Sequence, residues 1–241
     1  MMEPFIRTEM LLGSSAMQHL RDAHVAVFGI GGVGGYVVEA LARSGVGCFT
    51  LVDNDTVSVS NLNRQIIATT DTIGRDKVAV MKARILSINP KAVVKTHTCF
   101  FLPENAGEFD FSEYSYVVDA VDTVTAKIEL VIRAKQADVP IISCMGTGNK
   151  LNPGMLEIDD IYKTSVCPLA KVMRRELRKR QVDKLTVLYS KEEPKIPQTG
   201  LTVEEKPEGR RSIPGSTAFV PPAAGLMIAS RVIKDLAEIG E

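Results

Sequence analysis

The chain has 241 residues, enough for one domain or one domain with a modest extension, and an ordinary composition of 45% hydrophobic and 24% charged residues. Its 29 basic residues balance its 29 acidic ones, so nucleic acid cannot be held by bulk charge and would need a local basic patch. No run reaches the about 18 consecutive apolar residues of a membrane helix, and Met1-Met2-Glu3-Pro4 does not open a secretory signal, so a cytoplasmic protein without membrane contact is expected.

In chain order, the spacing predicts a short helix over 14–22 and an apolar strand over 24–28. The glycine run from Gly29 to Gly35 then leads into a helix over 36–44, and a second strand over 48–52 stops at Asp53. After a polar loop comes a helix over 76–88, with Val78, Met81, Ile85 and Ile88 at helical spacing and Asn89-Pro90 to end it. Strands over 92–97 and 116–121, a helix over 126–137 and a strand over 140–143 continue the alternation. Strands this apolar are buried on both faces, which predicts an α/β, doubly wound, Rossmann-like and mostly parallel sheet. Beyond Met145 the pattern weakens. An amphipathic helix over 168–181, a strand over 185–189, a mobile crossover loop over 191–211 and a last helix over 222–238 are expected.

Four cysteines, Cys48, Cys99, Cys144 and Cys167, form no C-x-x-C pair, so a paired-cysteine zinc site is not expected and reduced core cysteine is the ordinary reading.

Chemistry enters at Gly29-Ile30-Gly31-Gly32-Val33-Gly34, between a strand and a helix. Glycine there lets the backbone approach phosphate, and the helix N-terminus offers unpaired N–H groups. Gly29, Gly31, Gly32 and Gly34 are therefore candidate nucleotide contacts, with Asp53 placed to accept ribose hydroxyls. The motif does not separate NAD from ATP. Further on come Asp53-Asn54-Asp55, Asn61-Leu62-Asn63-Arg64-Gln65, Gly74-Arg75-Asp76-Lys77 and Asp119-Ala120-Val121-Asp122. In a doubly wound sheet, Gly31, Asp53 and Asp122 should ring one crevice at the switch point. Arg64 and Lys77, arriving with a spare carboxylate, suit phosphoryl charge and a metal rather than hydride transfer. Taken singly, Arg64 is a surface ion pair, Lys77 a solvated helix residue and Asp122 a helix cap; their company favours a site.

These motifs resemble the ubiquitin-activating-enzyme-like adenylyltransferases over residues 7–160, through G-I-G-G-V-G, L-V-D-N-D, S-N-L-N-R-Q, G-R-D-K and D-A-V-D. The resemblance implies ATP with Mg²⁺, with Asp53 on the ribose, Arg64 and Lys77 on the triphosphate, and Asp122 on the metal. Asp55, Asn61 and Gln65 would lie beside the nucleotide. It also implies a homodimer, in which Arg7 reaches into the partner's site. Residues 1–160 would be the ATP-binding adenylation domain, and 161–241 a C-terminal extension packed on it.

Within that family the chain looks most like the tRNA threonylcarbamoyladenosine dehydratases, through R-T-E-x-L-x-G near the start, Asp160-Ile161-Tyr162-Lys163-Thr164 and Pro168-Leu169-Ala170. The implied reaction activates the carboxylate of a modified adenosine in tRNA as its adenylate and closes it to a ring. Lys171, Arg174, Arg175, Arg178, Lys179 and Arg180 would meet tRNA phosphates, with Leu169, Val172, Met173 and Leu177 on the helix's inward face. A plain solvated helix is the alternative for such a charge run. A cysteine desulfurase or sulfur-acceptor system is a further partner the resemblance leaves open. The chain lacks the zinc cysteine pairs of the sulfur-carrier activators, and it has no cysteine after Cys167. Adenylation of a ubiquitin-like sulfur carrier and plain NAD binding stay open as alternatives.

Overall fold

The computed structural model describes residues 4–198 and 214–239. Six strands, β1 (His24–Phe28), β2 (Cys48–Val52), β3 (Val93–His97), β4 (Tyr116–Asp119), β5 (Ile141–Cys144) and β7 (Thr186–Ser190), run parallel. A seventh, β6 (Leu156–Asp160), lies antiparallel on β7 at the edge, and the sheet order is β3-β2-β1-β4-β5-β7-β6. The alternating Cβ direction of a strand sorts its residues between two cores. In β1, Val25 and Val27 join one core, while Ala26 and Phe28 join the other. The first core gathers α2 (Ser14–Asp22), α3 (Gly34–Arg43), α4 (Lys77–Ile88) and α7 (Val220–Leu236). The second holds α5 (Val124–Gln136), α6 (Pro168–Lys179) and an aromatic group of Phe28, Phe101, Phe109 and Phe111. Helices on both faces make the sheet doubly wound, as the apolar strands predict.

Two elements were not legible in advance. α1 (Ile6–Leu12) buries none of its residues fully: Ile6, Met10 and Leu11 are exposed, and Leu12 packs partly against the first core. β6 reads Leu156-Glu157-Ile158-Asp159-Asp160, an edge strand whose acids guard its open side and break the apolar run that marks the inner strands. β7 and α7, both after residue 160, enter the sheet and the first core. Of the 191–211 stretch, residues 191–198 carry no helix or strand, and 199–211 lie outside the described residues.

The chain leaves β1 for one side of the sheet and β4 for the other, which opens a crevice at their carboxyl ends. Gly29 forms its floor. It has φ +90°, and a Cβ there would stand 2.6 Å from the Ala120 carbonyl oxygen, so no other residue fits. Among the described residues no helix is long and apolar enough to cross a membrane.

Candidate functional site

The crevice is a cavity of about 750 Å³ at the carboxyl ends of β1, β2, β4 and β5. Gly29, Gly31, Gly32, Asp53, Asp55, Asn61, Arg64, Gln65, Lys77 and Asp122 all line it. Gly34 does not: a Cβ there would meet the Gly29 carbonyl oxygen at 1.8 Å, so this glycine serves strand–helix packing rather than ligand contact. Arg7 is also absent from the wall, exposed on α1. The six basic residues of α6 and its C-terminal end lie outside as well, although Leu169 at the start of that helix reaches in.

Asp53 does more than end a strand. Its Oδ2 accepts the Ile30 N–H at 2.6 Å and its Oδ1 the Asp55 N–H at 2.9 Å, which ties the glycine turn to the tip of β2. Burial raises the Asp53 pKa, and the nearby Lys77 ammonium opposes that rise. Lys77 is 4% exposed at the first position of α4, where the helix dipole disfavours a cation. It persists because Asp55 Oδ2 lies at 2.7 Å and Asp53 Oδ1 at 4.0 Å. A buried lysine held against a helix N-terminus and aimed at a cavity is poised for an anion.

Arg64 follows a single helical turn over Val59–Asn61, which Asn61 closes through its Oδ1 on the Ser58 N–H. The Asn61 side chain is therefore already used in capping. The Arg64 stem packs on Gly32, while Nη1 donates to the Ser60 carbonyl at 2.8 Å and to Asn63 Oδ1 at 2.9 Å. Burial lowers the Arg64 pKa, and among the described residues it makes no carboxylate ion pair. Next to it, buried Gln65 Oε1 has no hydrogen-bond partner. At Gly31 a Cβ would find only Gln65 Nε2, at 3.9 Å, and would otherwise project into the open cavity. A half-buried guanidinium, a buried lysine and a bare glycine backbone suit a nucleotide's phosphates, and the unpaired Gln65 oxygen suits a donor elsewhere on it.

Asp122, exposed just before α5, brings a carboxylate to the opposite wall. Among the described residues no cluster of three or more His, Cys, Asp or Glu could hold a metal alone. Magnesium commonly takes one or two carboxylates and completes its shell with phosphate oxygens and water, so one carboxylate lining the same cavity as Arg64 and Lys77 fits it.

The chain belongs to the ThiF family. The family is matched over residues 6–241. A relative from Bacillus subtilis, a tRNA threonylcarbamoyladenosine dehydratase, is 41% identical over 242 residues, 98% of this chain and 95% of that one. The relative of the same name from Escherichia coli is 41% identical over 171 residues, covering 71% of this chain and 64% of its own. The crystal structure of the E. coli dehydratase in complex with ATP superposes with a TM-score of 0.86 at 33% identity, covering 98% of this chain and 96% of that one.

The Cys144 thiol is an unpromising nucleophile. Cys144 lines the cavity at the end of β5, but burial pushes its thiol pKa up to about 12. The reactive form is the thiolate, so little of it exists at neutral pH. Cys144→Ala is therefore expected to keep most of the turnover. A covalent adduct on Cys144, found by intact-protein mass spectrometry, would overturn that expectation.

The sequence pattern missed Lys127 and Ser143, which both donate to the Asp119 carboxylate at the end of β4. Their one signal was spacing: Lys127 falls on the inward stripe of α5 with Leu130, Val131 and Ala134, where a cation is out of place.

Proposed function

We propose that this chain uses ATP to dehydrate threonylcarbamoyladenosine in tRNA, closing its carboxylate to a ring by way of a carboxyl-adenylate. The observation that carries the reading is Arg64, half-buried beside the glycine turn with no carboxylate partner among the described residues. The likeness to the B. subtilis protein across nearly the whole chain supplies the substrate.

A substrate carboxylate is ionised at neutral pH, so its attack on phosphorus needs no general base, and none of the three histidines is among the residues lining the cavity. The protein's part is alignment and charge neutralisation. Arg64 and Lys77 hold the phosphates, Asp53 and the Gly31–Gly32 backbone the ribose and phosphate turn, and Asp122 the magnesium. ATP bound there would supply the leaving groups, pyrophosphate first and then AMP carrying away a carboxylate oxygen, and magnesium held by Asp122 would neutralise phosphate charge. The substrate's own carbamoyl nitrogen closes the ring and loses its proton, for a net loss of one water. An intramolecular attack of this kind has an effective molarity of about 10⁵ M or more, so no enzyme nucleophile is required. Homodimeric assembly, cytoplasmic location, a ligase-like adenylating chemistry and a sulfur-transfer partner belong to the same reading, as does the division at residue 160.

Nucleoside mass spectrometry of tRNA after incubation with protein and ATP tests it. Threonylcarbamoyladenosine should lose the mass of one water. Unchanged tRNA, with pyrophosphate exchange stimulated instead by a ubiquitin-like carrier protein, would replace it with the sulfur-carrier reading.

α6 supports the tRNA contact in part. Ala170, Met173 and Leu177 are buried, while Leu169 and Val172 are half-buried, so the inward face is narrower than its sequence implies. Arg174 is turned inward to the Thr164 carbonyl at 3.0 Å and to its hydroxyl, so it braces the fold. Arg175, Lys179 and Arg180 converge on Glu176, which they hold down to about 2. Exposed pairs of this kind cost little to exchange for phosphate. Changing Lys171, Arg175 and Arg178 together to Gln is expected to raise the tRNA KM and lower its log–log salt slope by about 2 to 3, because each phosphate contact releases counterions. The ATP KM should not change. An unchanged tRNA salt slope would move the docking surface elsewhere.

A further inference from the structure

Beneath the cavity floor sits an ion pair that none of the roles above uses. Asp119, the last residue of β4, and Lys127, on α5, are both 0% exposed. Lys127 Nζ donates to both Asp119 oxygens at 3.0 and 2.9 Å, to the Cys144 carbonyl at 2.7 Å and more loosely to Ser143 Oγ at 3.4 Å. The Ser143 hydroxyl donates to Asp119 Oδ2, and Asp119 Oδ1 accepts the Val121 N–H at 3.2 Å. Every strong contact of the ammonium is therefore satisfied inside the protein.

A buried pair of this kind is a poor source of stability, because desolvation costs about as much as the attraction returns. What it fixes is geometry. The Val121 bond shapes the turn that carries Asp122 into the cavity. The Cys144 bond fixes where β5 ends and where the wall of Met145, Gly146, Thr147 and Gly148 begins. One ammonium thus joins the carboxyl ends of two neighbouring strands, β4 and β5, whose following segments both line the cavity.

We propose that Lys127 is a positioning residue: through Asp119 and the Cys144 carbonyl it sets the distance between the Asp122 wall and the Met145–Gly148 wall, and so the alignment of the reacting groups. The proposal rests on the dehydratase reading for its kinetics but not for its structural readout. Removing the lysine alone would strand a buried carboxylate, so the test is the double variant Asp119→Asn/Lys127→Met, which removes both charges and keeps the volume. It should fold and melt near the wild-type temperature. A misplacement of about 1 Å at a reacting centre can cost about 10²-fold, so kcat for tRNA dehydration should fall by roughly 10- to 100-fold while the ATP KM stays within about threefold. Backbone amides over 120–123 and 145–148 should exchange hydrogen faster than in the wild type, with the rest of the sheet unchanged.

Wild-type kcat and wild-type exchange in a folded double variant would overturn the proposal. If the double variant does not fold, Ser143→Ala decides. It leaves the ion pair but removes the hydroxyl bond to Asp119, and a kcat loss of about fivefold at constant ATP KM is expected, with no loss overturning the proposal. If the wild type itself leaves tRNA unchanged, the dehydratase reading fails, and the exchange comparison still tests Lys127.

Discussion

Replacing Arg64 or Lys77 by alanine is expected to lower turnover about 10²-fold or more while leaving the chain folded, because in the proposed reaction each acts chiefly on charge that develops during transfer. Arg64 gives up two hydrogen bonds, to Ser60 and Asn63, about 1 kcal/mol each, which a fold of this size tolerates. Lys77 has a second consequence. Burial already raises the Asp53 pKa, and the Lys77 charge holds that rise back. Taking the lysine away raises Asp53 further, so the ionised carboxylate that grips the Ile30 N–H is lost at a higher pH as the solution is acidified. The acid limb of kcat/KM should therefore move upward in pH in Lys77→Met and stay in place in Arg64→Ala. Circular dichroism checks the fold, and steady-state rates across pH check the rest. Near-normal turnover in either variant would remove that residue from the mechanism.

Most of the framework was legible because parallel strands buried on both faces must be apolar throughout. β1 and β2 were placed to the residue for that reason, and β5 was displaced by one. The same physics explains the failures. α1 buries no residue fully and sets only Leu12 against the core, and β6 alternates like an edge strand, so neither offers the pattern that burial imposes. The motifs that hold the glycine turn, Asp53, Arg64, Lys77 and Asp122 are legible in sequence because they lie in the connections that follow β1, β2 and β4, and the structure gathers them around one cavity. Gly34 was misassigned because a glycine needed for close packing and one needed for a ligand look identical in sequence. Arg174 was counted with the outward cations because helical spacing does not show a neighbouring loop, here Thr164, that can turn a side chain inward. Lys127 was hidden because a lysine in an amphipathic helix is ordinarily solvated.

Mixing inactive Arg7→Ala chains with inactive Asp122→Ala chains is expected to restore about one quarter of the wild-type rate. The reasoning begins at α1, whose Met10 is 79% and Leu11 86% exposed, and which buries no residue within its own chain. Arg7 on that helix does not line its own cavity, so in the proposed assembly its contact with a nucleotide comes from a second copy. In a two-fold dimer each site then combines Asp122 of one chain with Arg7 of the other. A mixed dimer holds one site with both residues and one with neither. Random exchange makes about half of the dimers mixed, each with one working site of two, which gives the quarter. A cis arrangement predicts no recovery, since every site in a mixed dimer would carry one lesion. The measurement is the dehydration rate against mixing ratio, with subunit exchange verified by native mass spectrometry of chains that differ in mass. A rate that stays at zero after exchange is complete would remove the trans role of Arg7, whereas a curve peaking at equal mixing places that arginine in the partner's site.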